Sequence, residues 1–264
     1  MKILSQNIWA PFIGSKNDIA RIDEFVKNVG DYDLVMIQEA FIFTLFFMRF
    51  WGRDLYLEDK LKENGFEHFL KGSRTMFFQN NGLLVASKYP LELISEIEFD
   101  DNEDDEFFTK KGALIFKLLN SPLNKDIVFV NTHLHCGSGY KLYKNIRYKQ
   151  LKNISDELLK KNIYADIVLA GDLNIDALEK VNTIEKEYYS IINNFGQIHD
   201  PLRNKNDITS PPNGRLDYII LIKHDYLWIE NEKVVKIGSN NEKYPDGISD
   251  HYGVEAELVN CNEL

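Results

Sequence analysis

The sequence predicts an α/β fold arranged as a mixed sandwich, and three observations predict it. The chain opens as β-α-β, because "KILSQNI" (Lys2 to Ile8) and "DLVMIQE" (Asp33 to Glu39) have strand character and "NDIARIDEFVKNV" (Asn17 to Val29) has helical spacing between them, with Asn17 as a candidate N-cap. Strand-like runs then recur evenly to the C-terminus. From Gly82 through His133 successive strands have no helix-length segment between them, so part of the sheet is antiparallel.

Taken in order, the remaining strand signals are "GLLVAS", "LELISEIEF", "GALIFKLL", "DIVFVNTHL", "DIVLAGDL", "LDYIILI" and "YGVEAEL". Helical stretches are expected near Ile146 to Leu159 and Ile184 to Ile192. The run "FIFTLFFMRFWG", Phe41 to Gly52, is too short to span a bilayer, which takes about 20 apolar residues. It continues into "RDLYLEDKLKENG" and is read as a helix burying its apolar face, with an exposed lipid-touching lip as the alternative. The acidic run Asp100 to Glu106 reads as a solvated loop, a second divalent-ion site being the alternative.

At 264 residues, with no internal repeat and no linker-like tract, residues 1–264 read as one catalytic domain, and a monomer is expected. Lys and Arg total 31 against 41 Asp and Glu, a net charge of −10 that disfavours a nucleic-acid partner. The two cysteines, Cys136 and Cys261, are too few for a disulfide scaffold and lack zinc-finger spacing. The chain enters a strand pattern at once, so no signal peptide and no transmembrane segment are expected within it, which fits a soluble or peripheral membrane protein.

Polar residues at the strand ends carry the chemistry. Apolar runs terminate at Asn7, at Gln38 and Glu39, at Asn131, Thr132 and His133, at Asp172 and Asn174, and at Asp217, while Asp250 and His251 immediately precede the last strand. One polar strand end is an ordinary turn residue; six of them suggest convergence on one rim of the sandwich. Glu39 offers a hard oxygen and Asn7 a carbonyl oxygen, sparse ligation that suits Mg²⁺, with Mn²⁺ or Ca²⁺ as other candidate divalent cations. His133, Asn131 and Asn174 are candidate donors to a phosphoryl oxygen. His251 is the candidate general base and Asp217 the carboxylate that orients it. Taken singly, each histidine has a blander reading as a satisfied buried imidazole. His135 is read as structural, and His68, His199 and His224 as ordinary surface or packing residues.

These residues lie in segments, "SQNIW", "VMIQEAF", "GLLVASKYPL", "KKGALIF", "NTHLH" followed by "RYKQ", "VLAGDLNID", "RLDYIIL" and "SDHYGVEAEL", whose order and spacing resemble the endonuclease/exonuclease/phosphatase superfamily. The resemblance covers nearly the whole chain and is most similar to the neutral, Mg²⁺-dependent sphingomyelinases. It implies a pancreatic-deoxyribonuclease-like, four-layer α/β sandwich of two mixed sheets flanked by helices. It further implies Asn7 and Glu39 near the metal, His133 and Asn174 on the phosphate, Asp172 in the catalytic cluster, Asp250 with His251 at the base, and Asp217 orienting that base. Arg147, with Gln150, matches the family's R-x-x-Q segment, and Lys111 the Lys-Gly segment of sphingomyelinases, so both are expected at the substrate.

The segments flanking these motifs narrow the resemblance. "NTHLHCGSG" lacks the Asn-rich, Pro-containing continuation of abasic-site nucleases, and "NGRLDY" lacks the Trp-Cys-Asp-Arg signature of inositol phosphate 5-phosphatases. "KIGSNNEKYPDGI" is polar where bacterial sphingomyelinases carry an aromatic hairpin. The resemblance thus implies a phosphodiesterase acting on a phospholipid, preferably sphingomyelin, at a membrane surface. Its rivals are a nuclease or phosphate-ester phosphatase of the same superfamily, and a non-catalytic binding module on the same fold.

Overall fold

A computed structural model of the chain describes residues 1–12, 14, 16–46, 48–100, 109–123, 126–136, 142–178, 198–203, 205–212, 214–222, 225–243 and 247–261. The described strands are β1 (Lys2–Asn7), β2 (Leu34–Gln38), β3 (Ile42–Leu45), β4 (Met48–Gly52), β5 (His68–Lys71), β6 (Phe77–Gln79), β7 (Leu84–Ser87) and β8 (Leu91–Glu98). They continue with β9 (Gly112–Leu118), β10 (Ile127–His133), β11 (Asp166–Asp172), β12 (Ile198–His199), β13 (Asp217–Ile222), β14 (Leu227–Val235) and β15 (Gly253–Asn260). The helices are α1 (Asp18–Lys27), α2 (Asp54–Lys62) and α3 (Leu142–Lys160).

Two six-stranded mixed sheets, β14-β15-β1-β2-β7-β5 and β12-β13-β11-β10-β9-β8, stack face to face. Between them lies a core to which alternate strand positions contribute Ile3, Leu34, Met36, Phe116, Phe129, Val168, Ile219 and Val254. The intervening positions of the first sheet, such as Leu4, Val35 and Ile37, pack under Ile22, Phe25 and Val26 of α1 and Leu57 and Leu61 of α2. Those of the second sheet, such as Ile115, Val130 and Leu169, pack against Leu151, Ile154 and Leu158 of α3. The result is a four-layer sandwich, helices–sheet–sheet–helix. Its central strands bury both faces, which is why they read as continuous apolar runs. Each large apolar side chain so buried contributes about 1.5–3 kcal/mol.

Three expectations need correction. Phe41 to Gly52 is not a helix: β3 and β4 form an antiparallel hairpin that joins β6 in a separate three-stranded sheet, and the helix begins only at Asp54. A run in which nearly every residue is apolar has no clear period by which to choose between the two structures, and pairing with β6 decided it. Asn17 precedes α1 but caps nothing with its side chain, because its φ of 53° places it in the left-handed region. The strand signals read from the sequence also omit β14, whose alternation of Leu227, Ile229 and exposed Trp228 is diluted by charge. The predicted helix at Ile184–Ile192 and the acidic residues 101–106 lie outside the described residues. Among the described residues no helix is long and apolar enough to cross a membrane.

Candidate active site

Strand register assembles the site. In the second sheet β10 and β11 run parallel with His133 opposite Asp172, and antiparallel β13 places Asp217 opposite Asp172, so three functional side chains share one row. Gly171 permits this approach: its φ is 138°, and a Cβ there would sit 1.9 Å from the Thr132 carbonyl oxygen. In the first sheet, parallel β1 and β2 set Asn7 opposite Gln38, with Glu39 next in the chain. Carboxyl ends of β1, β2, β10 and β11 thus meet the start of β13 and the segment entering β15.

Asn7 joins the two sheets. Its Nδ2 donates to Glu39 Oε1 at 3.0 Å and to Asp172 Oδ2 at 3.1 Å. Its carbonyl oxygen accepts the Trp9 N–H at 3.0 Å, so Asn7 holds two carboxylates together and does not offer them the free carbonyl expected from sequence. Asp172 Oδ2 also lies 3.5 Å from His133 Nε2 and 3.7 Å from His251 Nδ1. His251 Nδ1 is 2.8 Å from Asp217 Oδ2. Lys111 is buried, with Nζ 2.9 Å from His133 Nε2, and its charge reaches Glu39 and Asp172.

Charge is concentrated here with little water to relieve it. Burial, reinforced by Asp217 and opposed by His251 and Lys111, pushes the Asp172 carboxyl up to about 7. Burial also raises Glu39, with Lys111 and Asn7 working against it. For His251 burial alone would lower the pKa, but the Asp217 and Asp172 carboxylates outweigh it and push the imidazole up to about 11. The donors fit a hard divalent cation: Glu39 and Asp172 carboxylates share one bridging amide, and Asp172, Asp217 and His251 present ligand atoms within 4.8 Å of one another.

Three other predicted residues have different surroundings from those expected. Asn131 is fully buried; its amide donates to the carbonyls of Ile37 and Leu84 and its oxygen accepts from Gln38 Nε2 at 2.8 Å, leaving no N–H for a phosphate. Arg147 lies on α3 and donates to the His135 carbonyl at 3.3 Å, while Gln150 accepts the His135 N–H at 2.9 Å. The R-x-x-Q pair therefore braces the loop leaving His133. Asp250 is exposed, with Ser249 donating to it at 3.2 Å, and it acts on Glu39 and His251 through its charge. Asn174, with φ 52°, donates its backbone N–H to Asp172 Oδ1 at 2.9 Å and its Nδ2 to the Leu134 carbonyl at 3.0 Å.

Sequence reasoning missed the supports. Gln6 donates to the His251 carbonyl at 3.0 Å, and buried Arg21 ties the carbonyls of Ile8, Trp9 and Ile248 together. Thr209 Oγ1 accepts the backbone N–H groups of Leu216 and Asp217 at 2.9 and 3.0 Å. A polar residue within an apolar strand flags Gln6, whereas nothing local marks Arg21 or Thr209.

Known proteins resemble this chain in sequence and in fold. A phospholipase C of Staphylococcus aureus is 27% identical over 203 residues, a match covering 67% of this chain and 60% of that protein. A sphingomyelinase of Dictyostelium discoideum is 26% identical over 194 residues, covering 61% and 41%. The chain thus spans less than two thirds of either relative. Among solved structures, an endonuclease/exonuclease/phosphatase family protein from Leptotrichia buccalis superposes with a TM-score of 0.69 at 21% identity, covering 98% of this chain and 99% of that one. Beta toxin from Staphylococcus aureus, in a structure with bound magnesium ions, gives 0.67 at 21%, covering 97% and 98%. Residues 4–251 match the Endonuclease/Exonuclease/phosphatase family, and the chain belongs to that family.

Proposed function

We propose that residues 1–264 act as one catalytic unit, a divalent-cation-dependent phosphodiesterase that releases the phosphorylated head group of a phospholipid, with sphingomyelin, cleaved to ceramide and phosphocholine, as the preferred substrate. The observation that carries this reading is the unbroken series of contacts from Glu39 through Asn7 and Asp172 to His251 and Asp217. The names of the phospholipase C and sphingomyelinase relatives support the choice of a lipid.

Glu39 would hold the cation, Mg²⁺ in this reading, with Asp172 beside it through the shared Asn7 amide. When bound, such an ion neutralises phosphoryl charge and stabilises the departing alkoxide. Asp217 fixes the His251 ring through Nδ1, leaving Nε2 to take the proton of the attacking water. Neighbouring carboxylates hold a proton on that imidazole in the cation-free site, so relieving their charge is what frees it to act as a base. His133, with Lys111 against it, and Asn174 line the place where phosphate oxygens would sit. Arg147 and Gln150 act one step back, by holding the backbone of His135.

The test is release of head group from sphingomyelin, phosphatidylcholine, a lysolipid and an oligonucleotide, each with Mg²⁺ and with chelator. Release from sphingomyelin that needs Mg²⁺ is the expected result. Hydrolysis of the oligonucleotide alone would replace the lipid reading with a nuclease.

A further inference from the structure

We propose that the tip of the β3–β4 hairpin, with Phe46, Met48 and Phe50 and the neighbouring Phe12 and Met76, inserts into the head-group region of a phospholipid bilayer and seats the catalytic rim on the membrane. The choice of occupant rests on the phospholipid reading above.

The tip is an extension of the catalytic strands. The ladder between β2 and β7 pairs Ile37 with Leu84; past Glu39 it resumes one residue out of register, with Ala40 N–H donating to the Gly82 carbonyl, Asn80 N–H to that of Ile42, and then Phe43, Thr44 and Leu45 opposite Gln79, Phe78 and Phe77. Beyond the last pair the Phe46 ring meets that of Phe77 edge-on at 5.0 Å, next to Met76 in the chain. Seven positions separate Glu39 from Phe46, so the turn reaches roughly 20 Å beyond the proposed metal ligand at strand spacing. Phe12, which follows the Asn7 segment, joins the same lip: its ring stacks on Phe43 at 4.6 Å and meets Trp51 at 5.6 Å.

What the lip presents to solvent is apolar. Phe46, Met48 and Phe50 occupy alternate positions and are 61%, 60% and 62% exposed, with Phe12 and Met76 at 43% and 46%. Arg49, between them, is turned away onto Asp54 at 2.6 Å, and buried Thr44 donates to the Thr75 carbonyl at 2.7 Å behind the tip. The exposure therefore belongs to a braced structure, and solvent-facing apolar side chains so grouped mark an interaction surface.

Charge identifies what it meets. Residues 41–53 and 68–80 contain no Asp or Glu, although an average stretch of that combined length in this chain would hold about four. Both carry cations instead: Arg49, Arg53 and Lys71 are paired with Asp54, Asp18 and Glu58, and Arg74 is exposed. In a molecule of net charge −10 these two stretches thus bring no carboxylate of their own to lipid phosphates, and the acids of the neighbouring groove, Glu98 and Asp100, share it with Arg74 and Lys110, the latter 2.9 Å from Glu98. The turn of a two-stranded ribbon is also narrow, offering far fewer than the roughly 20–30 residues per side of a stable protein interface. A few large apolar side chains beside basic ones suit a bilayer interface.

The experiment is sedimentation with equimolar phosphatidylcholine and sphingomyelin vesicles in the His251→Ala background, so that lipid is not consumed. Adding Phe46→Ser and Phe50→Ser is expected to weaken partitioning at least tenfold, while Phe46→Trp retains it and gains blue-shifted emission on vesicles. In the active protein, the double serine variant is expected to hydrolyse a water-soluble phosphodiester at the parental rate and vesicle lipid more slowly. Parental partitioning by the serine variant, or no partitioning by the parent, overturns the proposal. Tip-dependent partitioning without any lipid hydrolysis supports the docking lip and removes the phospholipase reading.

Discussion

His251 Nδ1 and Asp217 Oδ2 lie 2.8 Å apart, and the contact couples the segment entering β15 of one sheet to β13 of the other across the site. Asp217 is fully buried, so this carboxylate has no solvent alternative and fixes both the tautomer and the charge of the ring.

Asp217→Asn is expected to lower kcat by about 10²- to 10⁴-fold with the fold retained, because Thr209 bonds the backbone of residue 217 and not its side chain. Its carboxylate raises the His251 pKa, so its loss lowers that pKa. A base must be neutral to act, and the rising limb of the pH–rate profile is therefore expected at lower pH in the variant. Steady-state rates from pH 5 to 9 check both effects; an unshifted limb contradicts the assignment.

Asn7→Asp would place a third carboxylate between Glu39 and Asp172, where the amide now bridges them at 3.0 and 3.1 Å. Like charges confined there are expected to cost ~2 kcal/mol or more without metal. Thermal unfolding should show a lower midpoint in chelator, with a larger Mg²⁺-induced recovery than in the parent. An equal midpoint in chelator would contradict the bridge.

Asn131→Leu leaves the Ile37 and Leu84 carbonyls and the Gln38 amide without their present partner inside the sandwich. A loss of about 2–4 kcal/mol is expected, measured by urea unfolding. Turnover per folded molecule should stay within a few-fold of the parent; a collapse in kcat without loss of stability would restore the role of phosphate donor.

Glu232, on β14, is buried, and burial with Asp200 nearby pushes its carboxyl up to about 9. A folded-state pKa above the unfolded value near 4.5 means the protonated fold is favoured at low pH, and that stability is lost as pH rises towards about 9. The full effect is on the order of several kcal/mol. Glu232→Gln should remove it, so the variant gains on the parent between pH 5.5 and 8.5 in denaturant unfolding. Parallel pH profiles would contradict the assignment.

The sandwich was legible because its central strands are apolar on both faces, and the site because each of those strands stops at a chemically distinctive residue. Glu39, His133, Asp172, Asp217 and His251 stand together on one rim, and pattern alone nominated each of them. What pattern could not supply is direction. Asn131 and Asn174 are the same residue type at two strand ends, yet one is spent on carbonyls between the sheets and the other flanks Asp172. Arg147 has the charge to bind phosphate, but its helix sets it against the His135 carbonyl. The hairpin at Phe46 was hidden for another reason: with nearly every residue apolar, only the partner strand β6, some thirty residues onward, decides between strand and helix.

The most direct test of the account is a Mg²⁺ titration of sphingomyelin hydrolysis by the parent and by Glu39→Gln. The account predicts saturable activation of the parent from a chelated baseline near zero, and a half-saturating Mg²⁺ concentration at least tenfold higher, or no turnover, in the variant. Full turnover in chelator, or the same Mg²⁺ dependence in both proteins, would contradict it.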